Sequence, residues 1–354
     1  MTDLRPRKPK RSSKKLISIA VAVLLVLGGG LYLARGSVRS VLDQITGVEY
    51  SGLGSTTINF KVAVGANGEE IARDLVDLGV TKDLSSTLRH IYAANPTFFP
   101  GTYRMPTQIS SDKAIQILTD PSQIVVNRVT VREGLRLSGT FRALSVGTGI
   151  SVAEFEGASK NLADFGIPSA APSLEGYLFP ATYDFGPDWT AKQILELMVE
   201  RTKRQLVADG IAKKDWHKTL TLASIVQMEA RKTPDFYKVA RVFLNRIAQG
   251  MHLQSDATVS YGVNGSTVNT TAAERNDPNG YNTYRYAGLP IGPIAGAGAT
   301  AIDAAVNPAE GDWLYFCAIN LETGETVFSN TYAEHLKAVE LWRKWMIANP
   351  GWDD

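Results

Sequence analysis

The chain has 354 residues, 44% hydrophobic and 20% charged, with a formal net charge of +2. That is ordinary globular composition with room for two or three domains. Its single cysteine, Cys317, excludes an intramolecular disulfide. The charge is uneven: residues 1–15 carry seven Lys/Arg against Asp3, which leaves −4 on the remainder and no basic surplus there for nucleic acid.

Leu16 to Ala34 is an uncharged, mostly apolar run of 19 residues. As a helix it is ~28 Å long, enough to cross a bilayer core. The basic tail before it predicts a cytoplasmic N-terminus, with everything from about residue 36 outside the cytoplasmic membrane. A cleaved signal peptide is disfavoured by the length of the run and the lack of a small-x-small cleavage site. Residues 35–57 read as a juxtamembrane linker. Ile58 to Val64 is strand-like, Gly65 to Gly68 is a turn, and a helix follows with Ile71, Leu75 and Leu78 on its apolar face. Phe98 to Tyr103 looks like a hairpin edge. Strand, turn and helix recur at Val129–Gly134 and Leu135–Leu144, so 58–150 reads as one α+β region. Residues 151–172, with Gly166, Pro168 and Pro172, read as a connector to a second mixed α+β domain at 173–354.

In that domain Thr190-x-x-Gln193 resembles a capping box opening a helix through Val207. Next comes Thr219 to Arg231, in which Leu222, Ile225, Val226 and Glu229 share one helix face. A carboxylate on an apolar face is costly unless it is paired or protonated. A structural ion pair to Arg231 or Arg241 is one solution. A raised pKa is the other, and it makes a general acid. Thr233 and Pro234 look like the N-cap and first residue of a further helix, with Phe236, Val239, Ala240, Phe243 and Ile247 facing the core and Gly250 as the stop. Met251 to Gly262 is rich in side chains able to hold sugar hydroxyls. Tyr281 to Tyr284 is a third such patch, and Gly288 to Ile294 a rigid Gly/Pro loop. Trp313 to Ile319 reads as a buried strand with Cys317 as a small core hydrophobe. Thr331-x-x-Glu334 is a second capping box, opening a helix with Leu336, Val339 and Trp342; it gives Glu334 a structural role.

Four histidines and one cysteine show no metal-ligand spacing, so no metal or cofactor is expected. No G-x-S-x-G or P-loop string occurs. Gly296 to Ala301 mimics a dinucleotide G-x-G-x-x-A pattern but follows a proline-rich loop, not a strand.

Several strings together resemble one family. They are Leu222-Ala223-Ser224-Ile225-Val226-x-x-Glu229, Val242-Phe243-Leu244-Asn245-Arg246-Ile247, Gln254-Ser255-Asp256-x-Thr258-Val259-x-Tyr261-Gly262, Tyr281-Asn282-Thr283-Tyr284, Gly288-Leu289-Pro290-x-Gly292-Pro293-Ile294 and Thr331-Tyr332-x-Glu334-His335, with Leu174-Glu175-Gly176-Tyr177 upstream. On these the chain is similar to the membrane-anchored endolytic murein transglycosylases of the MltG (YceG-like) type. The resemblance implies a LysM-like module within 58–150 and a YceG-like catalytic domain at 173–354. It implies a lyase reaction that cleaves the MurNAc–GlcNAc bond of nascent peptidoglycan and leaves 1,6-anhydro ends. Glu229 is then the catalytic acid. Gln254, Asp256, Tyr261, Asn282, Tyr284 and, more weakly, Glu175 are candidates to orient the sugar. The implied partners are glycan strands, penicillin-binding synthases and the division or elongation machinery. The chain departs from the family at Gln227, Ala257 and Thr326, where many members have glutamate, proline and histidine. The residues leave two alternatives open: a muramidase-type hydrolase with Asp256 as second carboxylate, and a non-catalytic glycan-binding scaffold.

Overall fold

A computed structural model describes residues 48–265 and 270–352, and the chain divides between Val125 and Val126 into two compact units. The tail and apolar run at 1–34 lie outside the described residues. Among the described residues no helix is long and apolar enough to cross a membrane.

In the first unit β1 (Thr57–Val62) pairs antiparallel with β2 (Gly101–Pro106), from Thr57 opposite Pro106 to Val62 opposite Gly101. Between them run α1 (Gly68–Asp77) and α2 (Leu84–Ala94), and α3 (Ser111–Leu118) follows. The segment expected to be a hairpin edge is therefore the return strand of a strand–helix–helix–strand unit. Each helix start is written in the chain: Asn67 and Glu70 form a capping box, Asp83 accepts from Ser86 N, and Ser110 accepts from Lys113 N. Phe60 and Val62 alternate inward onto Ile71, Leu75, Tyr103, Met105 and Leu118. Leu78 does not join them; the helix ends at Asp77, and Leu78 is its C-cap, 51% exposed. The linker expected through residue 57 is tied down near its end, where the Glu49 carboxylate accepts from Ser111 N and Ser111 Oγ, both at 2.8 Å.

The second unit is mixed α+β. Strand β3 (Asn127–Thr130) pairs antiparallel with β4 (Thr182–Phe185). This moves the division from the expected residue 150 to 125/126: Val129 and Val131, with Phe141 and Leu144 of α4 (Leu137–Thr148), belong to the same core as Phe185 and Ile194. The expected connector is structured too, as α5 (Val152–Ala158) and a 3-10 turn (Leu162–Phe165) that bury Phe155 and Phe165.

The centre of this unit is helical: α6 (Ala191–Ala208), α7 (Trp216–Glu229), α8 (Thr233–Ala248), α9 (Asp256–Gly262), the short α10 (Ala272–Arg275) and α11 (Ala299–Val306). The Thr190–Gln193 capping box forms as expected. Helix α8 differs at its start: Lys232 is the N-cap, without a side-chain bond, and Thr233 is already the first helical residue. Gly250 has φ +68°, the left-handed stop expected there. The stripe read on α7 understates its burial. Every residue from Thr219 to Val226 is buried, so this stretch of α7 is sheathed all round, and the helix packs against α8, α9 and α11. Its small polar side chains are satisfied: Ser224 Oγ donates to Thr221 O at 2.8 Å and accepts from Ile294 N at 3.0 Å, and Gln227 Oε1 accepts from Gly298 N at 2.9 Å.

Strands β5 (Tyr315–Asn320) and β6 (Glu325–Ser329) form a third antiparallel pair, followed by α12 (Tyr332–Ala348), whose Thr331–Glu334 capping box is present. Cys317 lies on β5 but is only half-buried, as is the whole strand, because α12 covers the pair without sealing it. Gly176 has φ +77°, and a Cβ there would fall 2.3 Å from Pro293 Cβ, so its lack of a side chain lets Glu175 and Tyr177 close onto the 293–295 loop.

Candidate active site

Helix α7 ends at Glu229, and the chain turns extended at Ala230. The side chain opens onto a cleft of about 730 Å³ whose walls include Gln254, Ser255, Asp256, Tyr284 and Arg246. Ser255 Oγ donates to Glu229 Oε1 at 2.6 Å, whereas Oε2 makes no hydrogen bond among the described residues. The ion pair weighed for Glu229 does not form. Arg231 Nη1 is spent on Leu321 O at 2.8 Å and Arg241 Nε on Ala309 O at 2.6 Å.

The residue as a whole is half-buried, but its carboxyl is densely surrounded by protein. Desolvation is the largest influence and raises its pKa. The Ser255 bond opposes that rise, the nearby Asp256 charge adds to it, and Arg246 opposes it; the net direction is up. That is the setting of a carboxylic acid with a proton to give.

Ser255 is held from behind. Its N–H donates to Thr283 Oγ1 at 3.1 Å, Gln254 N–H donates to Thr283 O at 3.1 Å, and Thr258 and Thr283 share a hydroxyl bond of 2.8 Å. Between two buried neighbours, Leu253 and Ser255, Gln254 takes a left-handed φ of +52° and stays exposed on the cleft wall. A non-glycine residue pays for that conformation, which is held here by the bonds on either side. Asp256 accepts from Thr270 Oγ1 and from the Tyr284 hydroxyl. Burial, with Asp256 second, pushes the Tyr284 hydroxyl up to about 12, so it remains a donor at neutral pH.

Of the candidates to orient a sugar, Gln254, Asp256 and Tyr284 stand in the cleft with Glu229. Asn282, Tyr261 and Glu175 do not line it. Asn282 is buried, and its amide is consumed by the loop: Nδ2 donates to Asp277 O at 2.7 Å and Arg275 O at 3.0 Å, and Oδ1 accepts from Tyr284 N at 3.1 Å. It sets Thr283 and Tyr284 rather than touching the cleft. Glu175, 3% exposed, accepts from Leu137 N with both oxygens at 3.0 and 2.9 Å and also from the Tyr261 hydroxyl. It caps α4, whose own N-cap residue Arg136 supplies no side-chain bond. Burial raises its pKa to about 7 against these bonds. Tyr261 packs edge-on to Tyr281, with centroids 4.6 Å apart, and beneath the Arg136 guanidinium at 5.3 Å. Both residues steady Arg136, which does reach the cleft and donates to Gly265 O at 2.8 Å and Ser260 Oγ at 3.2 Å.

Ser255 and Arg246 are among the cleft residues that went unrecognised in the sequence. Ser255 sits inside a quoted string, but nothing local says that its hydroxyl crosses 26 positions to Glu229. Arg246 reads as an ordinary charge on α8. It is buried, with Nε on Leu314 O at 2.7 Å and Nη1 on Leu253 O at 2.6 Å. Its i, i+3 offset from Phe243, a core residue, was the available signal.

The model of the YceG-like family matches residues 60–341. An endolytic murein transglycosylase of Bacillus subtilis is 32% identical over 308 residues, covering 80% of this chain and 84% of the relative. An endolytic murein transglycosylase of Streptococcus pneumoniae is 27% identical over 90% of this chain, which spans 63% of that relative's length. A crystal structure of a YceG-like protein from Listeria monocytogenes superposes with a TM-score of 0.53 at 28% identity, covering 80% of this chain and 99% of the other. On the extent of the family match and the Bacillus identity, the chain belongs to the YceG-like family.

Proposed function

We propose that the protein is an endolytic lytic transglycosylase of peptidoglycan, cutting between N-acetylmuramic acid and N-acetylglucosamine within glycan strands. The names of the Bacillus and Streptococcus relatives support this. The observation that carries it is the state of Glu229: one carboxyl with raised pKa in a cleft, with Oε1 fixed by Ser255 and Oε2 available.

Glycosidic cleavage needs a proton at the leaving oxygen and support for an oxocarbenium-like centre. Glu229 Oε2 delivers the proton as the bond to the anomeric carbon breaks. The resulting carboxylate is stabilised by the Ser255 hydroxyl and by Arg246. It then takes the proton of the muramyl C6 hydroxyl as that oxygen bonds to the anomeric carbon. The products are a 1,6-anhydromuramyl end and a free N-acetylglucosamine hydroxyl, and Glu229 is again protonated, with no water consumed. The negative charge of Asp256, kept in place by Thr270 and Tyr284, faces the developing positive charge.

The strand–helix–helix–strand order of the first unit supports a LysM-like, glycan-holding role for residues 58–125. The apolar run at 16–34 supports a single-pass anchor with the catalytic unit on the extracytoplasmic side, where synthases that make the strands are the natural partners.

The test is mass spectrometry of uncrosslinked glycan strands incubated with the full-length protein and with Glu229→Gln. Anhydromuramyl ends are expected with the wild type and a loss of ~10²-fold or more in the variant. Reducing muramyl ends would instead make the protein a hydrolase with Asp256 as its second carboxylate. No cleavage by the wild type would favour a glycan-binding scaffold.

A further inference from the structure

The capping box of α12 accounts for Thr331 and Glu334 and leaves Tyr332 and His335 of the same string without a role. Both line the catalytic cleft, together with Tyr315 of β5. Their rings form one cluster. His335 stacks on Tyr315 with centroids 5.3 Å apart and planes inclined by 22°, while Tyr332 lies 5.8 Å from Tyr315 and 6.1 Å from His335. The back of the cluster is rigid, because the Arg246 guanidinium lies 5.3 Å from the Tyr315 ring centre and is itself pinned to two backbone carbonyls.

The front is open. Tyr332 is 60% exposed, and its hydroxyl makes no hydrogen bond among the described residues. The imidazole is held by stacking, since Nδ1 has no hydrogen-bond partner among the described residues. Burial first, and Arg246 second, lower the His335 pKa and favour the neutral ring. Packing of α12 onto β5 explains why Tyr315 and His335 are covered. It does not explain a large ring left uncovered on the wall of the same cleft.

A pyranose ring carries its hydroxyls around the rim and C–H bonds on its faces. Tyrosine offers the matching shape, an apolar face with a polar tip and few rotors to freeze. A neutral wall suits an uncharged sugar, and a pre-stacked one loses little entropy on binding. We propose that Tyr315, Tyr332 and His335 form a saccharide-stacking subsite of the cleft. It seats the C–H face of one pyranose of the strand while Glu229 reaches the neighbouring glycosidic oxygen. This subsite rests on the glycan reading of the cleft.

The experiment uses the full-length Glu229→Gln protein, in which binding is separated from cleavage, and isothermal titration with a peptide-free GlcNAc–MurNAc tetrasaccharide. Adding Tyr332→Ala is expected to weaken binding about tenfold, whereas Tyr332→Phe keeps it within roughly twofold. An alanine variant that binds as tightly as its parent would overturn the subsite and leave the glycan reading intact. A phenylalanine variant as weak as the alanine one would also overturn it, since the hydroxyl and not the ring face would then be the contact. A parent that fails to bind the tetrasaccharide would overturn the glycan reading and the subsite with it.

Discussion

Replacing Glu175 by glutamine tests the electrostatics of the second unit without touching the cleft. The carboxyl is almost wholly buried, and its pKa rises from 4.5 to about 7 on folding, chiefly by desolvation. Below pH 4.5 it is protonated in both states and does not affect the balance. As pH rises from 4.5 towards 7 the unfolded chain releases the proton and the folded one keeps it, so stability falls; above about 7 the loss is complete. A shift of this size corresponds to about 3 kcal/mol, of which about 2.5 falls between pH 5 and pH 8. Glutamine does not titrate. It keeps one acceptor for Leu137 N, and any cost of the lost second oxygen is the same at every pH. The stability of the variant minus that of the wild type should therefore grow by about 2–3 kcal/mol from pH 5 to pH 8. Urea denaturation of both full-length proteins, followed by tryptophan fluorescence, measures this, because all six tryptophans lie beyond residue 188 and report on the second unit. A difference that stays constant with pH to within about 0.5 kcal/mol would refute the account, and would mean that Glu175 is already ionised in the fold at low pH.

Two further predictions concern the cleft. Ser255→Ala removes the hydrogen bond that favours the Glu229 carboxylate, so the acid's pKa rises further. The alkaline limb of the pH–rate profile moves to higher pH, and kcat falls by ~10-fold or more because the carboxylate formed after proton transfer is less stable; a limb that stays put would separate Ser255 from the acid. Asn282→Ala leaves the carbonyls of Arg275 and Asp277 unpaired and should cost about 1–3 kcal/mol in thermal or urea unfolding. Because Asn282 is outside the cleft, a variant of unchanged stability with a selectively raised KM would show that it meets substrate after all.

The parts of the fold that local chemistry decides were legible. Capping boxes at Thr190 and Thr331 gave two helix starts, and the apolar spacing around Glu229 marked a carboxylate that had to be either paired or protonated. What escaped depends on distant pairings. The division at 125/126 follows from β3 meeting β4 more than 50 residues on, which no periodicity near Val129 encodes. Asn282 and Tyr284 are alike as polar residues of one string; only the course of the loop turns the first inward to backbone carbonyls and the second to the cleft. Glu175 was placed near the sugar because it is acidic and part of a matching string, yet a buried helix start claims both its oxygens.

The burial of α7 from Thr219 to Val226 separates two properties of the carboxyl at its end that enzymes often set together. Where the Glu229 backbone stands is decided by a helix buried from Thr219 to Val226, which cannot move without disturbing the core. How readily it yields its proton is set first by desolvation and then adjusted by Ser255 and Asp256, which lie where a turn enters α9. A substitution at that turn therefore shifts the Glu229 pKa while the helix that carries its backbone stays packed.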